Sequence, residues 1–186
     1  MKPVSKYFLI FLLVAAVQLG VPASMIVKRN NTLKNGEVYK FKTRPVDPYD
    51  AFRGRYVALG FEQGAVEWKK TTHFEQGEEL YAILDIDSDG FDKIVDLKRE
   101  RPENKSFLTV RVSYHSRDSV RLDLPFDRYY MNEKLAPRAD RAYREFSRVG
   151  KQKAYVTVRI LDGFAVLEEL YIDDKPIHEY LKSIAP

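Results

Sequence analysis

The chain reads as an α+β protein, mainly antiparallel β (a small barrel or sheet) with one packed amphipathic helix, behind an N-terminal transmembrane helix. Three observations predict this. Residues 7–27 carry no charge. Residues 37–186 are dominated by short runs of β-branched, aromatic and leucine residues separated by turn signals. One later stretch switches to helical spacing.

The N-terminal segment comes first. Lys2 and Lys6 precede the run YFLIFLLVAAVQLGVPASMIV. About 20 residues at ~1.5 Å each cross the hydrocarbon core of a bilayer. Two readings fit. A retained anchor uses residues 7–27 as one span. A secretory signal would have its small-residue exit at Val21-Pro22-Ala23. Length favours the anchor, and an all-round apolar surface disfavours a buried soluble helix. A short tail, residues 1–6, stays in the cytoplasm, which places the rest outside it. Residues 28–36, KRNNTLKNG, read as a polar tether to a domain over 37–186.

Composition narrows the function classes. The chain has no cysteine, so disulfide frameworks, thiolate metal sites and thioether lipid anchors are excluded. The net charge is +4, and Lys2 and Lys6 supply half of it. The domain is therefore not strongly basic. With no recognisable nucleic-acid module, no nucleic-acid partner is expected.

Strands are expected at 38–43, 55–61, 79–86, 91–97, 107–114, 120–124, 153–161 and 164–172. Asp162-Gly163 is the strongest hairpin signal, because a type I′ turn needs positive φ at both central residues. Ser88-Asp89-Gly90 and residues 116–119 mark further turns. Leu135, Ala139, Ala142, Phe146 and Val149 recur at steps of four and three, which predicts a helix. Pro137 suits its first turn and Gly150 its C-terminal exit.

Residues 45–61 form the most specific local motif. Asp47 suits an N-cap, Pro48 the first helical position, and Asp50 can reach back to the Asp47 amide. Gly54 suits a left-handed exit. Asp50 and Arg53 are spaced to pair. Asp47, Pro48 and Gly54 thus read as a structural turn between two strands.

This motif resembles the signature of the GDYXXLXY family. Gly54, Tyr56 and Leu59 match it, Arg55 stands where the family has aspartate, and Phe61 replaces its last tyrosine. Arg128-Tyr129-Tyr130-Met131-Asn132-Glu133 resembles a second block of the family. The hairpin around Asp162-Gly163, with Leu170-Tyr171-Ile172-Asp173, is also similar. The resemblance implies a bacterial protein anchored in the cytoplasmic membrane, with its domain outside and its gene often beside those of polytopic membrane proteins. It implies no reaction and no cofactor. Candidate binding residues from the two blocks are Asp50, Arg53, Arg55, Tyr56, Arg128, Tyr130 and Glu133. A polytopic membrane protein or an envelope ligand is the expected partner, with the bilayer itself held through residues 7–27.

Other constellations are weighed against plainer readings. Asp85-x-Asp87-x-Asp89-Gly90 with Asp96 resembles a calcium loop, but Lys93 fills a ligand position and a strand precedes it, so an acidic β-turn is expected. His73, His115 and His178 lack metal-ligand spacing. Arg138, Arg141, Arg144 and Arg148 line one flank of the expected helix, either as a solvated face or as a contact for anionic lipid. An alternative of another class is an envelope hydrolase using Ser24 or the carboxylates Asp47, Asp50 and Glu133. Ser24 after an apolar span, followed by Arg53-Gly54-x-x-Val57, resembles signal peptidases in order but lacks the proline and lysine contexts of that family.

Overall fold

The computed structural model describes residues 6–44, 56–147 and 154–184. Helix α1 runs Lys6–Asn35, about 45 Å at 1.5 Å per residue. It is long and apolar enough for a membrane span or a signal sequence, and none of its most hydrophobic window is buried. A helix that is apolar on every side is the kind buried in a large protein core or in a membrane.

Residues 28–36, expected as a tether, instead continue the helix to Asn35. Tertiary packing is the reason. Thr32 is buried, and its hydroxyl donates to the Lys28 carbonyl at 3.1 Å. The Gly36 N–H donates to the Thr32 carbonyl at 2.8 Å. A Cβ at Gly36 would stand 3.0 Å from the Ile160 carbonyl oxygen, and nearer still to that of Thr32. Only glycine permits this approach. Arg159 donates to the Gly36 carbonyl at 3.2 Å, and the Lys28 ammonium lies 4.3 Å from the centre of the Phe164 ring. Polar composition alone reads as linker, but these contacts hold the turn in helical form.

The domain then runs β1 (Glu37–Arg44), β2 (Tyr56–Ala58), β3 (Gly60–Phe61), a 3₁₀ turn (Glu62–Gly64) and β4 (Ala65–Glu67). It continues through β5 (Glu79–Ile86), β6 (Asp92–Lys98), β7 (Phe107–His115), β8 (Ser119–Asp123) and β9 (Arg128–Tyr130). It ends with α2 (Ala136–Phe146), β10 (Ala154–Leu161), β11 (Phe164–Ile172), β12 (Lys175–Pro176) and α3 (Ile177–Ser183). One sheet has the order β12-β11-β10-β1-β3, the other β4-β8-β7-β5-β6, and β2 pairs with β9 as a separate ribbon. The pairings are antiparallel.

The two sheets are joined by hydrogen bonds at two places. The Lys40 N–H donates to the Asp92 carboxylate at 2.7 Å, and the Thr109 N–H donates to the Gly163 carbonyl at 3.0 Å. Between them lies an apolar core. Phe126 packs on Phe41 and Phe61 with ring centroids 5.2 and 5.1 Å apart. Such aromatic pairs add ~0.5–1.5 kcal/mol each beyond area burial. Trp68 and Phe74, with ring centroids 5.1 Å apart, are buried in the same core.

The expected mainly-β class, its N-terminal apolar helix and its packed helix are present. The expected strand over 55–61 is interrupted. It leaves the ribbon after Ala58 and enters the first sheet at Gly60. Helix α2 starts with Pro137 in its first turn and has Ser147 as its C-cap. Val149 and Gly150, expected at its end, lie outside the described residues, as do Asp47, Pro48 and Gly54. Strand β12 and helix α3 carried no sequence expectation. Asp173 and Asp174, both at positive φ, turn the chain into them.

Asp162 and Gly163 have φ of 53° and 78°, as the hairpin signal requires. A Cβ on Gly163 would run into Phe107 and Thr109. We therefore expect Gly163→Ala to destabilise the domain by about 2 kcal/mol. Urea unfolding followed by the single tryptophan, Trp68, measures this; an unchanged midpoint would contradict the turn geometry. A second prediction concerns acid. Asp87 accepts from the Phe91 and Asp89 amides and from Lys42, and these bonds, the Phe91 amide first, lower its pKa to about 2. A depressed carboxylate pKa contributes stability above its ordinary value that is lost as pH falls through the folded one. Between pH 4 and 2 the wild type should lose midpoint more steeply than Asp87→Asn, which should already be weaker at pH 7.

Candidate functional site

The two blocks that resemble family motifs meet in the β2–β9 ribbon. Tyr56 faces Tyr130, Val57 faces Tyr129, and Ala58 faces Arg128. Alternation then sorts the side chains. Val57 and Tyr129 point inward and are buried. Tyr56 and Tyr130 lie on the outer face, with ring centroids 5.5 Å apart, and Tyr130 is 65% exposed. The Arg128 guanidinium sits 5.2 Å from the centre of the Tyr56 ring. A hydrogen bond with Tyr130 and the nearby Asp127 carboxylate, 3.7 Å from Arg128 Nε, favour its charged form. The outer face is thus an aromatic–cation cluster of flat, amphipathic groups.

The inner face explains why the ribbon holds its place. The Tyr129 hydroxyl donates to Glu169 Oε1 at 2.6 Å, joining β9 to β11. Burial, then this carboxylate, raises the Tyr129 pKa. The Leu59 N–H donates to the Asp127 carbonyl at 2.9 Å, just where the strand changes sheets. Tyr143 of α2 secures the next residues. Its hydroxyl donates to the Arg44 carbonyl at 2.6 Å and accepts from the Gly60 N–H at 3.1 Å. Burial pushes its pKa up to about 12.

Among the candidate binding residues, the fold brings Tyr56, Arg128 and Tyr130 together. Glu133 stands exposed in the turn that opens α2, where Asn132 accepts from the Leu135 and Ala136 amides. Asp50, Arg53 and Arg55 lie outside the described residues. Arg29 was not singled out from sequence, yet it lines one cleft with Arg128 and Tyr130. Tyr143 was also missed. It lies on the buried face, four residues after Ala139 and three before Phe146, but no local pattern announces its long-range bonds.

The remaining constellations find plain uses. Lys42 bridges Asp87 and Asp89, so an ammonium sits against the carboxylates of the acidic turn. His73 stacks on His115 at 4.5 Å, a pairing the sequence spacing hid, and His115 Nδ1 accepts from the Phe74 amide. Among the described residues, no three His, Asp or Glu converge as a metal site. The Ser24 hydroxyl donates to the Val21 carbonyl on the surface of α1. Arg138 donates to the Leu181 and Ile184 carbonyls, and Arg144 pairs with Asp140. Arg138 and Arg144 are thus committed within the domain, Arg141 is exposed, and Arg148 lies outside the described residues.

A family model described as GDYXXLXY protein matches residues 18–170, from within α1 to within β11. The chain belongs to the GDYXXLXY family. No curated protein and no solved structure matches it. In this GDYXXLXY protein the signature residues have divided roles: Tyr56 faces outward, Leu59 and Phe61 are core, and the strand between them changes sheets.

Removing the Tyr143 hydroxyl would leave two backbone groups, the Arg44 carbonyl and the Gly60 N–H, short of a partner in a part-buried place. Tyr143→Phe should cost about 1–3 kcal/mol in urea unfolding. A loss below about 0.5 kcal/mol would mean that these bonds do not hold α2.

Proposed function

We propose that this GDYXXLXY protein is a single-pass accessory protein of the bacterial envelope. Helix α1 stays in the cytoplasmic membrane, the β-rich domain lies outside the cytoplasm, and the Tyr56–Tyr130–Arg128 face engages a polytopic membrane protein. One observation carries the reading. The end of α1 is packed onto the β10–β11 hairpin, and Arg29 of that helix shares a cleft with the ribbon. If residues 7–27 span the bilayer, the ribbon is held beside its surface, where an integral membrane partner presents its loops. Tyrosine and arginine are enriched at interface hot spots, which supports this face as the contact. Anchoring also raises the effective concentration at such a partner.

The test is a photo-crosslinking residue at position 130 in the full chain, activated in native membranes. We expect an adduct with a multi-span protein, lost when the probe is moved to position 69 on the other sheet's side. Adducts confined to soluble proteins would overturn the partner class. An intact mass beginning after residue 23 would overturn the anchor.

A further inference from the structure

Beside the ribbon lies a cleft of about 340 Å³, lined by Arg29 of α1, by residues 125–130 and by residues 165–168 of β11. That volume is within the range of small-ligand sites. Its depth is set by the helix. Arg29 is the second residue after Val27, where the uncharged run ends. At ~1.5 Å per residue it stands only ~3 Å further along the axis. When residues 7–27 fill the hydrocarbon core, this cleft opens at the level of the lipid headgroups.

Its charges carry both signs. The lining residues include Arg29 and Arg128 as well as Asp127 and Glu168. Glu168 accepts from Arg159 Nε at 2.9 Å through one oxygen, and Asp127 is 3.7 Å from Arg128. Both acids are partly exposed, and each carboxylate has further acceptor positions. A guanidinium presents a planar fork that fits phosphate oxygens, whereas a carboxylate accepts from an ammonium. A lining of balanced charge favours a ligand with both groups over a simple anion. Tyr56 and Tyr130 at the rim are amphipathic rings of the kind that settle at membrane–water interfaces.

We propose that this cleft holds the headgroup of a phospholipid bearing a phosphate and a primary ammonium, drawn from the leaflet into which α1 emerges. The phosphate lies against Arg29 and Arg128, and the ammonium against Asp127 and Glu168. The inference rests on the reading of α1 as a retained span.

The full chain, purified from membranes and placed in nanodiscs of equal phosphatidylethanolamine, phosphatidylglycerol and phosphatidylcholine, can be ejected into a native mass spectrometer. Phosphatidylethanolamine should be the adduct retained. Arg29→Ala and Arg128→Ala should each lower that retention about fivefold. Lys69→Ala, outside the cleft lining, should not, and Trp68 fluorescence checks that each variant is folded. Equal retention of the three lipids, preference for phosphatidylglycerol, or a preference that survives both arginine changes would overturn the headgroup site while the anchor stands. The same spectrum gives the chain mass. A membrane-purified chain lacking residues 1–23 would instead overturn the anchor, and this site with it.

Discussion

The close contact at Gly36 is the constraint on which the rest of the arrangement depends. There the helix backbone comes against the β10 backbone with no side chain between them. A larger residue would push the two apart, and the Lys28–Phe164 and Arg159–Gly36 contacts would be lost together. The chain enters β1 at the very next residue, so the helix axis and the first strand are fixed by one joint. β1 in turn lies between β10 and β3 in its own sheet and approaches β6 of the other. The orientation of the whole domain relative to α1 therefore passes through a few atoms.

Much of this architecture is written in local sequence. The uncharged run, the alternation in β5, β7, β10 and β11, the Asp162-Gly163 turn and the α2 stripe are each short-range patterns with a direct physical cause. What escaped was long-range. The KRNNTLKNG stretch is polar and would be a tether on its own; it is helical because the hairpin, far along the chain, covers Thr32 and Gly36. The interruption at Leu59 was hidden because Tyr56 to Phe61 alternates like a single strand. Only the pairing partners, Tyr130 on one side and Thr43 on the other, divide it.

The site follows the same rule. Tyr56, Arg128 and Tyr130 could be named from sequence because each stands in a recognisable block. That they touch is a property of the fold. Arg29 had no such block around it, and its place in the cleft comes from the helical continuation that the sequence did not disclose. Residues such as Tyr129, Tyr143 and Glu169 do the positioning. Their hydroxyl and carboxylate groups bridge elements remote in sequence, so spacing holds no trace of them. Among the described residues of this chain's signature, the outward-facing Tyr56 is thus combined with the core residues Leu59 and Phe61.

The unbroken helix also acts as an axle with a set angle. Each residue of an α-helix turns the chain by about 100°. Between Val27 and Gly36 the number of residues, more than their identity, decides which way the Tyr56–Tyr130 face looks around the helix axis. A flexible linker would let the domain sample every direction. Here one residue added or removed would rotate the aromatic face by more than a quarter turn, while its height changed by only ~1.5 Å. The length of this segment is therefore an azimuth, and homologous chains that share a partner should hold it constant even where its residues differ.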